Sequence, residues 1–176
     1  LFDAPQIRFM HGFAIGNAAE MAAALYRALS QNSGTPFGHG EEPPGDPGFD
    51  AERVASIIGG DYELTNGILH VTVERRERFT ERGVKLKRTM EVESMFNFQS
   101  IGGGNVATID EFVLRKNEVD PLARELRKRG FLVTALHSHE LDIDPEAYYM
   151  HSWNTGDPIT LANDIRAALE LTKSKF

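Results

Sequence analysis

The hydrophobic positions change between helical and strand spacing along the chain. Helical spacing predicts four helices. The first begins at Asn17 and the second at Asp50. The third runs from Asn117 to Gly130, and the fourth begins at Asp157-Pro158. Alternating or continuous apolar runs predict strands at Gln6–Phe9, Tyr62–Val73, Val84–Phe98, Val106–Leu114, Phe131–His139 and Tyr148–Trp153.

Turn residues divide these runs and set the fold class. Asn66-Gly67 predicts a hairpin, and Gly102-Gly103-Gly104 predicts another, because no Gly-Lys-Ser or Gly-Lys-Thr follows that would indicate a phosphate loop. A turn is predicted over 142–146. Strands and helices do not alternate strictly, which predicts an α+β fold, an antiparallel or mixed sheet with helices packed on one face, plus an extra N-terminal helix.

A Gly- and Pro-rich stretch, Ser33–Phe49, divides the chain unequally. Residues 1–49 are predicted to form an N-terminal strand and helix appendage with this loop, and residues 50–176 the main domain. The N-terminal helix offers a possible arm for a homodimer.

Composition and charge exclude several classes of function. The 176 residues contain no cysteine, which excludes thiol nucleophiles, Cys-based zinc fingers and iron–sulfur clusters. The net charge of −7 argues against nucleic acid as a partner. The run Glu74–Arg88 is locally rich in Arg and Lys, and we interpret it as a solvated pair of strands with mixed charges. No apolar run reaches the length of a transmembrane segment.

Histidines carry the most specific chemical signal. His137 and His139 leave the same face of a predicted strand, and His151 lies on the next strand, which a turn over 142–146 returns alongside the first. Three imidazoles with an open fourth position suit zinc or copper. Glu111, Glu140 or Asp110 can supply a carboxylate ligand or orient an imidazole, and Glu111 and Glu140 are the candidate catalytic residues.

Three alternatives use the same residues without metal. The histidines can simply line a polar cleft. They can instead belong to a binding module for a cell-wall glycan or a small polar ligand, in which Tyr148, Tyr149 and Trp153 stack on a sugar ring. Histidine and glutamate can also perform acid–base catalysis. A Ser-His triad is not expected, since Ser138 points away from its neighbouring histidines.

Several motifs together resemble the LppY/LpqO-like family of bacterial proteins. These motifs are Asn117-Glu118-Val119-Asp120-Pro121, Thr134-Ala135-Leu136-His137-Ser138-His139, Met150-His151 and Gly156-Asp157-Pro158. The resemblance extends from about Asp50 to Thr172 and includes the Glu111-Phe112-Val113-Leu114 run, with Asp110 where glycine is usual. It implies that His137, His139 and His151 belong to a characteristic motif and that the protein is exported. It implies no reaction, because the family's domain has no known function.

Overall fold

The computed structural model describes residues 12–32 and 44–176. Its helices are α1 (Ala18–Asn32), α2 (Ala51–Ile58), α3 (Lys116–Lys128) and α4 (Pro158–Leu169). Its strands are β1 (Asp61–Thr65), β2 (Ile68–Glu74), β3 (Thr80–Glu81), β4 (Val84–Lys85), β5 (Glu93–Gly102), β6 (Asn105–Leu114), β7 (Leu132–His137), β8 (Ile143–Asp144) and β9 (Tyr148–Gly156).

Two antiparallel sheets organise the fold. The larger sheet has six strands in the order β1-β2-β5-β6-β9-β7, and the smaller has the order β4-β3-β8. Hairpins join β1 to β2 and β5 to β6, at the two turns predicted from Asn66-Gly67 and from Gly102-Gly103-Gly104. The α+β class with an additional N-terminal helix is therefore confirmed.

The helices α2, α3 and α4 cover one face of the large sheet. Along β6 the even-numbered residues, such as Phe112 and Leu114, enter the main core together with residues of the helices, such as Ile58, Leu126 and Ile165. The odd-numbered residues point to the opposite face, here called the open face. One end of the open face packs against a second, smaller core that includes Phe79, Leu86, Val92 and Tyr149.

Polar side chains fix where the helices begin. Asp50 and Asp157 accept hydrogen bonds from the backbone N–H of Arg53 and Thr160, at 3.0 Å and 2.8 Å, so both predicted starts are confirmed. The predicted N-cap of α3, Asn117, is wrong by two residues, because the N-cap is Arg115. Glu118 accepts a hydrogen bond from the Arg115 N–H at 2.7 Å, and this contact starts the helix at Lys116.

Two predicted elements differ from the structure. The run 84–98 is not one strand, because it contains two separate strands with an irregular segment between them. In that segment Glu91 has a φ of +56°, and the Met90 N–H donates to the Lys87 carbonyl at 2.9 Å. The predicted turn at 142–146 contains the short strand β8, which pairs with β3. Two predicted segments lie outside the described residues. They are the strand at 6–9 and residues 33–43 of the loop.

Helix α1 shows its apolar side chains to solvent. Leu25 is 62% exposed and Leu29 is 47% exposed. Its suggested role as a dimer arm stays a prediction. Within the described ranges, no helix has the length and apolarity needed to cross a membrane.

Candidate metal centre

Strand pairing brings the histidines to the open face of the large sheet. In the β7–β9 pair, Ala135 lies opposite His151 and His137 lies opposite Tyr149. Opposite residues of an antiparallel pair point to the same side, so the His137 and His151 side chains share one face. The pairing shifts by one residue between Val133 and Ala135, and this bulge determines which face His137 occupies.

The three imidazoles form a compact cluster. One nitrogen from each of His137, His139 and His151 lies within 4.8 Å of the others. The Nε2 atoms of His137 and His151 are 2.8 Å apart, and the centroids of these two rings are 4.9 Å apart. The sequence prediction that the three histidines converge therefore agrees with the structure.

His139 lies beyond the end of β7 and is held by packing. Its side chain is 3% exposed. Its ring stacks on the fully buried ring of Tyr149, with centroids 3.5 Å apart and an interplanar angle of 5°. Because Tyr149 is fixed in the smaller core, its ring orients His139 without offering an open face to a ligand.

Glu111 is a carboxylate that lies close to two of the three imidazoles. It lies opposite His151 in the β6–β9 pair, and its Oε2 is 3.3 Å from His151 Nε2 and 3.7 Å from His139 Nε2. Burial, with the added effect of the negative charges of Glu91 and Glu140, raises its pKa to about 7. Glu111 can therefore exchange a proton near neutral pH.

Two more carboxylates complete the site. Glu91 Oε2 lies 3.2 Å from His139 Nδ1, so the two groups form an ion pair when the imidazole is protonated. Glu140 accepts a hydrogen bond from the Tyr149 hydroxyl at 3.3 Å, and burial raises the Glu140 pKa. The sequence analysis missed Glu91, which precedes β5 in an irregular segment without a recognisable motif.

The geometry suits a small cation. Ligand nitrogens at 2.0–2.1 Å from tetrahedral zinc are about 3.3 Å from one another, and the observed spacings of 2.8 Å to 4.8 Å bracket that distance. Burial, together with the negative charges of Glu91 and Glu140, raises the pKa of Glu111, and a cation at the centre would relieve this repulsion. The residues therefore can hold a divalent metal ion.

The other predicted site residues lie apart from the cluster. Asp110 points to the helix-covered face, where it is fully buried and accepts hydrogen bonds from Ser152 and Thr108, so it does not approach the histidines. Tyr148 packs against the main core and donates to Glu146 at 2.6 Å. Trp153 lies on the open face and is 39% exposed, which leaves it accessible to a ligand.

The comparisons with known proteins give a family and no reaction. No curated protein and no solved structure gives a significant match. A family model described as Domain of Unknown Function (DUF1259) matches residues 52–171, which include all three histidines and Glu111. Because this match covers more than half of the sequence, the chain belongs to the DUF1259 family of domains of unknown function.

Proposed function

We propose that this domain binds one divalent metal ion through His137, His139 and His151 and uses Glu111 as the acid–base residue of a metal-dependent hydrolase. The observation that carries the proposal is the convergence of three imidazole nitrogens within 4.8 Å on a sheet face, next to a half-buried carboxylate. Zinc and copper both accept three imidazoles. The neighbouring carboxylate favours hydrolysis, and therefore zinc, because hydrolysis needs a proton acceptor.

Glu111 is suited to its proposed role by position and environment. Its Oε2 lies 3.3 Å from His151 Nε2 and 3.7 Å from His139 Nε2, which places the carboxylate beside the metal that these imidazoles would hold. Its pKa of about 7 matches a group that takes a proton and returns it near neutral pH. A bound zinc ion would supply Lewis-acid chemistry that polarises the scissile bond and acidifies water.

Metal content tests the site directly. Protein without a His-tag is incubated with zinc and copper separately, dialysed and measured by elemental analysis. We expect about one equivalent of zinc in the wild type and none in His137→Gln/His151→Gln. The matched control is His70→Gln, since His70 lies on the same sheet face but bonds to Asn97 at 2.6 Å. A wild type without metal, or a double variant that retains it, would contradict the site.

Glu111→Gln tests the chemistry separately. The variant keeps all three imidazoles, so we expect unchanged metal content. Hydrolysis of p-nitrophenyl acetate or bis(p-nitrophenyl) phosphate should fall by about 10²–10⁴-fold, the usual contribution of a general acid or base. A wild type that binds zinc but hydrolyses neither probe would refute hydrolysis of these ester classes. Activity that survives chelation would instead support acid–base catalysis without metal.

A metal-free binding module is the second candidate, and an open-face groove supports it. The groove has a volume of about 370 Å³, and its lining includes Trp153, Ile109, Met95 and Asn97. An indole beside amide groups can stack on a sugar ring. Trp153 is the only tryptophan, so its fluorescence should change when a cell-wall oligosaccharide is added in the presence of a chelator. Unchanged fluorescence and no heat of binding would exclude this function for that ligand.

Membership of the LppY/LpqO-like group and an exported location are further parts of the proposal. They are supported by the Thr134-Ala135-Leu136-His137-Ser138-His139 motif and by the Met150-His151 pair. Fractionation of the native cells tests the location, since an exported protein is recovered outside the cytoplasmic fraction.

A further inference from the structure

A second cleft, separate from the histidines, has the opposite electrostatic character. Its volume is about 700 Å³, and its walls carry seven basic and two acidic residues. Phe79, Leu86 and Val92 form an apolar part of the lining. In a protein whose net charge is −7, this concentration of positive charge is a local exception. No residue of the cleft belongs to the histidine cluster.

A short hairpin builds the positive wall. The strands β3 and β4 turn at Arg82 and Gly83, whose φ angles are +49° and +78°. Beyond the paired residues, the Leu86 N–H donates to the Phe79 carbonyl at 2.9 Å. The Phe79 and Leu86 side chains are buried in the smaller core, so the backbone on both sides of the hairpin is fixed.

Three exposed cations of this hairpin, Arg78, Lys85 and Lys87, line the cleft. Lys85 lies within β4, while Arg78 and Lys87 directly adjoin the Phe79–Leu86 bond. The hairpin therefore holds three positive charges close together on a fixed backbone.

The charges in the cleft divide into compensated and uncompensated groups. Arg75 is buried between Glu77 and Glu118, and Arg88 pairs with Asp61 and Glu74. By contrast, the side chains of Arg78, Lys85 and Lys87 make no hydrogen bond or ion pair with any residue in the described parts of the chain. Neighbouring like charges on a hairpin repel, so their arrangement costs stability unless an anion offsets it.

We propose that this cleft binds a small, multiply charged anion that carries phosphate groups. Its volume lies within the range of roughly 300–1,000 Å³ found for small-molecule sites. The guanidinium of Arg78 can make paired hydrogen bonds to one phosphate, and Lys85 and Lys87 supply two further charges. The apolar lining lowers the local dielectric, which strengthens attraction to an anion. This proposal is independent of the proposed metal function.

Calorimetric titration with tripolyphosphate tests the proposal. The test variant is Arg78→Gln/Lys85→Gln/Lys87→Gln. The matched control, Arg53→Gln/Lys116→Gln/Arg127→Gln, removes three exposed cations that lie outside the cleft and make no side-chain ion pair within the described part of the chain. We expect at least tenfold weaker binding for the test variant and less than a twofold change for the control.

Two further measurements define the ligand and the site. Citrate has a similar number of charges on carboxylates, and we expect it to bind at least tenfold more weakly than tripolyphosphate; equal affinity would overturn the phosphate assignment. His137→Gln/His151→Gln should keep full tripolyphosphate affinity, because the cleft shares no residue with the cluster. Absence of saturable binding to the wild type, or an equal loss in the two triple variants, would overturn the proposal. Melting curves confirm that each variant is folded before titration.

Discussion

Asp110 is a buried carboxylate that has no cationic partner within residues 12–32 and 44–176, and it offers a quantitative test of the fold. It is completely buried under the helices. Ser152 Oγ and Thr108 Oγ1 donate to its Oδ2 at 2.8 Å and 3.2 Å, whereas its Oδ1 has no hydrogen-bond partner among the described residues. Burial raises the pKa of Asp110 from 3.8 to about 7, against the opposing effect of the two hydroxyl donors.

This shift predicts the sign of a pH effect on stability. The folded protein holds the Asp110 proton up to a pH of about 7, while the unfolded chain releases it near pH 3.8. Between these values the folded state binds more protons, so this group lowers the free energy of unfolding as pH rises. At about 1.4 kcal/mol for each pH unit, the cost reaches about 4 kcal/mol above pH 7.

Asp110→Asn removes the ionisation and keeps an oxygen that accepts from both hydroxyls. We therefore expect the variant to be more stable than the wild type near neutral pH. The difference in free energy of unfolding should widen by about 2–3 kcal/mol between pH 5 and pH 8, as measured by urea denaturation. The control Asp120→Asn changes an exposed acid and should alter stability by less than about 0.5 kcal/mol at each pH. A constant difference, or an Asp110→Asn protein that is less stable throughout, would refute this reasoning.

Three other predictions follow from the packing and the site. Arg75→Met leaves Glu118 buried without its guanidinium partner at 2.8 Å, and urea denaturation should show a loss of about 3–5 kcal/mol; a change under 1 kcal/mol would contradict this. Gly60→Ala places a Cβ in steric conflict with the Thr72 carbonyl oxygen, so the free energy of unfolding should fall by about 1–3 kcal/mol in the same assay. Unchanged stability would contradict this prediction. Zinc affinity should fall as pH drops below about 7, because protons then compete for the imidazoles and for Glu111, whose pKa is about 7; calorimetry that gives equal affinity from pH 5.5 to pH 8 would argue against histidine ligation.

Local signals predicted most of the fold because the determining interactions are close in sequence. The Asp50 and Asp157 caps and the Asn66-Gly67 turn each act over two to four residues. The structure of the run at 84–98 was harder to predict, because its apolar residues pack into two different cores. Leu86 and Val92 enter the smaller core, whereas Phe96 enters the main one, and no local pattern distinguishes these destinations.

The candidate site was predictable to a smaller extent. The spacing of His137, His139 and His151, with strand periodicity and one reversal of direction, indicated a shared region of the sheet but not that all three side chains share one face. The approach of Glu91 to His139 depends on tertiary contacts between distant segments. The opposite orientations of Asp110 and Glu111 follow from alternation, but the face that each occupies depends on how β6 pairs in the complete sheet.

The β7 bulge explains why the histidines meet at all. Before the bulge, Val133 pairs with Ser152; after it, Ala135 pairs with His151, so Thr134 is the extra residue. In an unshifted register His137 would lie opposite Tyr148, whose side chain packs into the helix-covered core, and its imidazole would point away from His151. One inserted residue on an edge strand therefore decides whether the cluster forms. A local backbone irregularity, and not the histidine spacing alone, creates the geometry on which the proposed metal centre depends.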